Sequence, residues 1–301
     1  MRVLVTGAAG FIGSNLIPVL HEAGHTVFGL DNFFNPSERY RERMQWEISR
    51  GDVTNYDSLY DILSNRKIEA VVHLAAHGSV PRSFANPYDS VRVNDLGFVN
   101  LLVAMKALGI ERLVYASSSS VYGDNNRQVK VEGEEGKPLS PYALTKKTNE
   151  EFARIWAPQA NINAVGLRFF NVYGPGQRPH SQYSAVIPRF ITQTPTLYGD
   201  GSKTRDFTFV GDVARAISLA LDYTAKGSAT LNVGTGTGTN LKQLLSLLSK
   251  TAKQMPERLG DVNYSIASTM LCESTIGFKA KVQIAEGLEI TKAFYDGLFH
   301  E

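Results

Sequence analysis

Tyr142 and Lys146 stand four residues apart in Ser140–Lys146 (SPYALTK). On a helix that spacing puts both side chains on one face, so a phenol and an ammonium can point into one site. An ionisable phenol beside a cation is a proton-transfer arrangement. Ser140 suits the N-cap and Pro141 the first helical position, which starts the helix where the pair needs it. Ser118 falls just past a buried strand, where an open α/β sheet presents ligands at its carboxyl edge. A second chemical motif opens the chain. Gly7-Ala8-Ala9-Gly10-Phe11-Ile12-Gly13 follows a β-branched run and precedes a helical pattern. Such a turn lets the backbone approach a pyrophosphate, and the helix start supplies free N–H groups. Asp31 ends the next strand-like run. A carboxylate there accepts ribose hydroxyls and repels a 2′-phosphate, favouring NAD over NADP. The basic residues Arg39, Arg41 and Arg43 read as a solvated face. Asp52-Val53, after a third strand candidate, suits the adenine edge.

Alternating elements must hold these groups. Strands are expected at Arg2–Thr6, Thr26–Leu30, Ala70–Leu74, Arg112–Ser117 and Asn163–Arg168. Helical patterns at Phe11–Ala23, Tyr56–Asn65, Ser90–Leu108 and Pro141–Ala157 fall between them, with Pro18 inside the first as a bend. Such alternation implies right-handed crossovers and a parallel sheet. After Phe170 the pattern breaks into a Gly- and Pro-rich stretch. Helix returns at Asp212–Tyr223 and strand at Thr230–Val233. From about Asn240 helices and loops mix, which indicates a second, smaller lobe.

Composition narrows the function classes. The chain has 301 residues, 43% hydrophobic and 20% charged, enough for a sizeable core. With 31 Lys+Arg against 29 Asp+Glu, it gives no support for nucleic-acid binding. Cys272 is the only cysteine, so no internal disulfide forms, and six scattered histidines argue against a metal site. No apolar run is long enough to span a bilayer, and the strand-like opening carries no leader pattern; a cytoplasmic, soluble protein is expected. His73 reads as a buried histidine and Cys272 as a packed thiol; for His77, just after the strand, a cofactor contact is the less favoured reading, and it is not counted as a site residue. Gly234–Gly238 reads as a structural turn capped by Thr239 or Asn240.

The sequence resembles the extended short-chain dehydrogenase/reductase superfamily, and within it the nucleotide-sugar 4-epimerases. The resemblance runs over nearly the whole chain. It is carried by TGAAGFIGS (Thr6–Ser14), GLDNF (Gly29–Phe33), GDV (Gly51–Val53), HLAA (His73–Ala76), YASSSSVYG (Tyr115–Gly123), SPYALTK, LRFFNVYGP (Leu167–Pro175), YGDGSKTRDF (Tyr198–Phe207) and RLGDV (Arg258–Val262). It implies an α/β fold: a Rossmann-type doubly wound parallel sheet with a smaller mixed α/β substrate-binding lobe. Residues 1–170 plus about 206–236 would form the NAD-binding domain, and about 171–205 with 237–301 the nucleotide-sugar lobe.

The resemblance also assigns roles. Tyr142 is the acid/base, Lys146 binds the nicotinamide ribose, and Ser118 hydrogen-bonds the sugar hydroxyl. Bringing a tyrosine from ~10 to ~7 needs roughly 4 kcal/mol, which a close cation with partial desolvation can supply. NAD would be held by Gly7, Gly10, Phe11, Ile12, Gly13, Asp31, Asn32, Asp52, Val53, Leu74, Ala75, Ala76 and Asn94. The UDP-sugar would be met by Ser79, Ser118, Ser119, Asn171, Arg178, Val186, Tyr198, Arg205, Arg258 and Ser265. Related 4,6-dehydratases carry an Asp-Glu pair where this chain has Ser119 and Ser120, so an epimerase is preferred. For the sugar, Gly78–Ser83 and a small Ser265 point to an N-acetylhexosamine; Arg178 points to a uronate; plain UDP-glucose/galactose is the third option. Alternatives are a reductase or dehydrogenase that releases reduced cofactor, a dehydratase-like relative, and a non-enzymatic sugar-nucleotide sensor. A homodimer through the helices at Ser90–Leu108 and Pro141–Ala157 is expected, and no metal. The lobe looks short between Leu248 and Glu257, where relatives have a longer helix and a further strand.

Overall fold

The computed structural model describes residues 1–37, 39, 46–179, 185–256 and 262–299. Arg41, Arg43 and Arg258 lie outside the described residues. Seven parallel strands form the main sheet: β1 (Arg2–Thr6), β2 (Thr26–Asp31), β3 (Ile48–Arg50), β4 (Ala70–His73), β5 (Arg112–Ser118), Asn163–Phe169 and Ser228–Val233. Their spatial order is Ser228–Val233, Asn163–Phe169, β5, β4, β1, β2, β3. The chain winds outward from β1 in both directions, so the order reverses between β1 and β4. A ligand cleft is expected outside the carboxyl ends of those two strands.

Side-chain alternation explains why the strands read as continuous apolar runs. Val3, Val5, Val72, Val114 and Leu167 pack on one face with Leu16, Ile17, Val213 and Ile217. Leu4, Val71, Leu113 and Tyr115 pack on the other with Leu59, Phe98, Leu101 and Ala153. Both faces are buried beneath helices, as a parallel sheet requires. Helices Phe11–Glu22 and Val210–Leu221 cover the first face. Tyr56–Asn65, Gly97–Leu108 and Pro141–Trp156 cover the second. Pro18 sits inside an uninterrupted helix.

The helical stretch expected at Ser90–Leu108 differs. It begins at Pro87, where Asn86 accepts the Asp89 N–H at 3.1 Å, and it is interrupted by a π turn at Arg92–Leu96. A π turn inserts one extra residue into the helix, often at a functional site.

The remainder gathers short strands. Thr239–Asn240, Thr204–Arg205, Tyr264–Ala267 and Val129–Lys130 form one small sheet. Lys253–Met255 pairs in parallel with Thr196–Tyr198, so a strand does stand between Leu248 and Glu257, contrary to expectation. It is three exposed residues long, which leaves no apolar alternation to read. Tyr173, Ile187, Phe190, Leu197, Phe207, Leu244 and Leu288 form the core of this region. Among the described residues no helix is long and apolar enough to cross a membrane.

Candidate active site

The glycine turn is built by contacts that exclude side chains. Gly7 has φ +69°, and a Cβ on it would stand 2.8 Å from the Ala75 nitrogen. A Cβ on Gly13 would lie 2.4 Å from the Gly7 carbonyl oxygen. A Cβ on Gly10 would meet only the Gly7 carbonyl within 4 Å, so its other side is open cleft. Gly7 N–H donates to Leu30 O at 2.8 Å and Gly10 N–H to Gly7 O at 3.0 Å. The helix Phe11–Glu22 that follows has no side-chain cap and no acidic residue in its first turn. Helices starting at Tyr56, Val80, Pro87, Pro141 and Leu241 are each capped by an Asn or Ser. The first-turn N–H groups beside Gly10 are left for an anion, which fits a pyrophosphate.

At the end of β2, Asp31 is held from both sides. Its Oδ2 accepts the Ala9 N–H at 2.9 Å and its Oδ1 the Phe33 N–H at 2.7 Å. Burial pushes its carboxyl up, and these N–H bonds oppose the shift. Asp52 accepts from Asn32 Nδ2 at 3.0 Å and from the Thr54 N–H and hydroxyl. Burial raises the Asp52 carboxyl, but those bonds and the Arg92 charge outweigh it, so the group is held below the usual range. Both carboxylates line the cleft, as a dinucleotide's ribose and base would need.

The opposite wall is the end of β5 against the helix Pro141–Trp156. Ser140 accepts the Ala143 N–H at 3.1 Å and so fixes the helix start. Lys146 is 3% exposed and its ammonium donates to the Ala116 carbonyl at 2.8 Å. Burial lowers Lys146 to about 8, against the pull of Asp95 and Glu150. Burial raises the Tyr142 phenol, and hydrogen bonding from Ser118 works the other way. Ser118 Oγ lies 3.1 Å from Ser120 Oγ and accepts the Ser120 N–H at 3.1 Å, capping the short 3₁₀ turn Ser119–Tyr122.

These walls enclose one cleft of about 550 Å³. It brings together Gly7, Gly10, Phe11, Ile12, Gly13, Asp31, Asn32, Asp52, Val53, Leu74, Ala75 and Ala76 with Ser118, Ser119, Tyr142 and Lys146. On the outer side it is lined by Ser79, Asn171 and Arg178. Arg178 donates to Asn35 Oδ1 at 3.0 Å, and Asn171 donates to the Asp206 carbonyl at 3.0 Å. Ser37 donates its N–H to the Ala9 carbonyl (2.7 Å) and its hydroxyl to the Gly176 carbonyl (2.8 Å), which joins the segment after β2 to the glycine turn and to the segment bearing Arg178.

Other expected residues stand elsewhere. Asn94 is buried beneath the cleft wall: it accepts the His77 N–H at 2.8 Å and donates to Thr145 Oγ1 at 3.0 Å. The π turn rotates it toward the Pro141–Trp156 helix, so it braces the site and does not line it. Tyr198, Arg205 and Ser265 belong to the small strands and Val186 to the start of the helix Val186–Thr192; none lines the cleft. Arg205 donates to the carbonyls of Thr204 and Asn263.

Sequence reading missed Phe34, which forms a rim with His77 and Arg82. Phe34 stacks on His77 at 4.9 Å and the Arg82 guanidinium lies 5.1 Å from the Phe34 ring centre. It also missed Asp206, fully buried, which accepts the N–H groups of Thr235 (2.9 Å), Gly236 (2.9 Å) and Ala267 (3.2 Å). That carboxylate holds the Gly234–Gly238 turn, and Asn240 then caps Leu241–Leu247. His73 is buried against Thr6 at 2.9 Å and Cys272 is packed in the core. Among the described residues no cluster suits a metal ion.

Comparison with known proteins gives consistent matches. The group described as the NAD dependent epimerase/dehydratase family matches residues 3–234. UDP-glucose 4-epimerase of Mycolicibacterium smegmatis is 34% identical over 310 residues, covering 98% of each chain. The structure of MoeE5 in complex with UDP-glucuronic acid and NAD is 36% identical, with a TM-score of 0.87 over 99% of this chain and 100% of that one. UDP-N-acetylglucosamine 4-epimerase from Methanobrevibacter ruminantium, in complex with UDP-N-acetylmuramic acid, is 31% identical, with a TM-score of 0.91 over 99% and 98%.

Proposed function

Because the chain belongs to the NAD dependent epimerase/dehydratase family, we propose that it inverts carbon 4 of a UDP-sugar through a transient 4-keto intermediate, with NAD as cofactor. One observation carries the reading. Ser118, Tyr142 and Lys146 share a cleft whose other wall is the open glycine turn and the Asp31 carboxylate. Bound NAD supplies the acceptor and then the donor of the C4 hydride. The chain supplies the rest. The glycine turn and the uncapped helix start hold the diphosphate, and Asp31 receives ribose hydroxyls. Tyr142 takes the proton of the sugar 4-hydroxyl and later returns it. Lys146 keeps the phenolate charge tolerable, and Ser118 orients the hydroxyl. Net redox change is zero, so no second substrate is consumed.

Ser119 and Ser120 stand where elimination chemistry would need carboxyl groups, and neither can protonate a leaving hydroxyl. This favours the epimerase over a dehydratase-like reading. For the sugar, Arg178 in the cleft lining supports a UDP-uronate, since a guanidinium pairs a carboxylate bidentately. The case for an N-acetylhexosamine is weaker, because Ser265 lies in a small strand away from the cleft. We further propose a homodimer. Val91, Leu96 and Val103 on one helical stretch and Leu144, Phe152 and Ile155 on the other are exposed apolar residues. Sedimentation as a monomer alone at micromolar concentration would exclude it.

The test is incubation of the NAD-loaded protein with UDP-glucuronate, UDP-GlcNAc, UDP-GlcNAcA and UDP-glucose, followed by separation of products. Interconversion of C4 epimers without accumulation of NADH is expected, fastest for a uronate. Stoichiometric NADH release would assign a dehydrogenase, and binding without turnover a sensor.

A further inference from the structure

Three consecutive residues at the end of β5 meet three successive turns of the helix Pro141–Trp156. Ser118 lies beside Tyr142 in the cleft wall. The Ala116 carbonyl accepts from Lys146 at 2.8 Å. Between them, the Ser117 hydroxyl donates to Glu150 Oε1 at 2.6 Å. Tyr142, Lys146 and Glu150 are spaced four apart, so all three lie along one helical face. Each rung therefore has one partner on the strand; Tyr142 and Lys146 line the cleft together with all three strand residues, and Glu150 alone stands behind the lining.

The third rung is locked from behind. Arg168, paired with Ser117 across the sheet, donates to both oxygens of Glu150 at 2.8 Å. The same guanidinium donates to the Tyr122 hydroxyl at 3.0 Å, and that hydroxyl donates to Asn232 at 2.8 Å. Glu150 and Arg168 are 4% and 3% exposed. A buried ion pair of this kind gives little stability over an apolar pair of equal volume. What it does give is a preferred geometry, because a one-residue slip of the helix would break the two-pronged Arg168–Glu150 contact and the Ser117 bond, leaving Arg168 only Glu135 as a carboxylate partner.

We propose that Glu150 is a positioning residue for the reaction: with Ser117 and Arg168 it fixes the register of the Tyr142–Lys146 face against the end of β5. The inference rests on the functional reading above for what that face does. Glu150 also adds a negative charge near Lys146. The other charged or titratable groups that act on Lys146 are Asp95 from the π turn and His73 from β4, and Tyr142 from its own helix lines the same cleft.

The test uses NAD-loaded S117A and E150Q. S117A removes the rung and leaves the Arg168–Glu150 pair intact. Its kcat should fall about tenfold, with KM and bound NAD within about twofold of the parent, as a shifted but assembled site requires. E150Q removes the charge. The phenolate absorbance of Tyr142, read as the difference from the matched Y142F protein across pH, should then titrate lower by up to about one unit, because loss of a negative charge on the same helical face eases ionisation of the phenol. Parent kcat in S117A, or an unmoved midpoint in folded E150Q, overturns the proposal; if E150Q does not fold, S117A decides. A parent protein that interconverts no UDP-sugar overturns the functional reading alone. The matched Tyr142 titration then decides the rung in E150Q and, should that variant not fold, in S117A, where a midpoint equal to the parent's overturns it.

Discussion

The two sides of the cleft are built differently. The cofactor side is continuous: a strand, a turn of three glycines and a helix, repeated with Asp31 and Asp52 at the ends of neighbouring strands. The outer side, where the proposed sugar would lie, is lined from connecting segments by residues such as Ser79, Asn171 and Arg178, tied by single bonds to Asn35 and to the Asp206 carbonyl, with the small strands standing behind them. One side draws its geometry from sheet pairing that many residues share; the other depends on a few polar anchors. Damage to the first should abolish cofactor binding or chemistry outright, while damage to the second should tune substrate affinity.

Y142F gives the largest expected effect. Losing the proton-transferring phenol should cost about 10³-fold in kcat while NAD content stays at the parent level, read by turnover and by released cofactor. Next is Gly13→Val. Its Cβ would meet the Gly7 carbonyl at 2.4 Å, so the turn must open. Purified protein should lack NAD and lose about 3 kcal/mol of stability in denaturant titration. If G13V retains cofactor, the cofactor side is more yielding than its packing implies.

D206N tests the sugar side. Asparagine keeps one acceptor oxygen where the carboxylate serves three N–H groups. About 2 kcal/mol of stability should be lost and KM for the UDP-sugar should rise several-fold, with NAD content unchanged. Loss of NAD from D206N would erase the contrast between the sides.

The pH profile probes the cofactor side more gently. Lys146 titrates at about 8 in the folded chain. The ammonium is present below that value and is lost as pH rises through it, so kcat should fall by up to about tenfold per unit above it. The unfolded chain holds this proton to ~10.4, so in that window the group makes folding more favourable as pH rises. A fall in kcat without a fall in melting temperature therefore identifies the ammonium. The smallest effect is expected for N240A, which removes the cap of Leu241–Leu247 and should cost about 1 kcal/mol in a thermal melt with kcat unchanged.

The same contrast explains what could be read in the sequence. Gly7, Gly10, Gly13, Asp31, Tyr142 and Lys146 were legible because their spacing is local and each element around them has a strong period. Asn94 was read as a cofactor contact from the resemblance alone; it stands in the π turn, behind the cleft wall, bonded to His77 and Thr145. Tyr198, Arg205 and Ser265 sit on strands of two to four residues, too short for alternation to reveal which way they face. Asp206 carries no spacing signal at all, since its partners lie about 30 and 60 residues onward. Glu150 was hidden in an ordinary amphipathic pattern, where a carboxylate four residues after a lysine reads as a surface pair.

Asp31 has a consequence for how cofactor preference can change. Both of its oxygens already receive main-chain N–H groups, one from the glycine turn and one from the segment after β2. Removing the acid to admit a bulkier, more anionic dinucleotide would also strip two amides of their acceptor and slacken the glycine turn. If Asp31 selects the cofactor as proposed, selectivity and scaffold are vested in one side chain, and a switch of preference has to arrive with a second change that re-anchors Ala9 and Phe33.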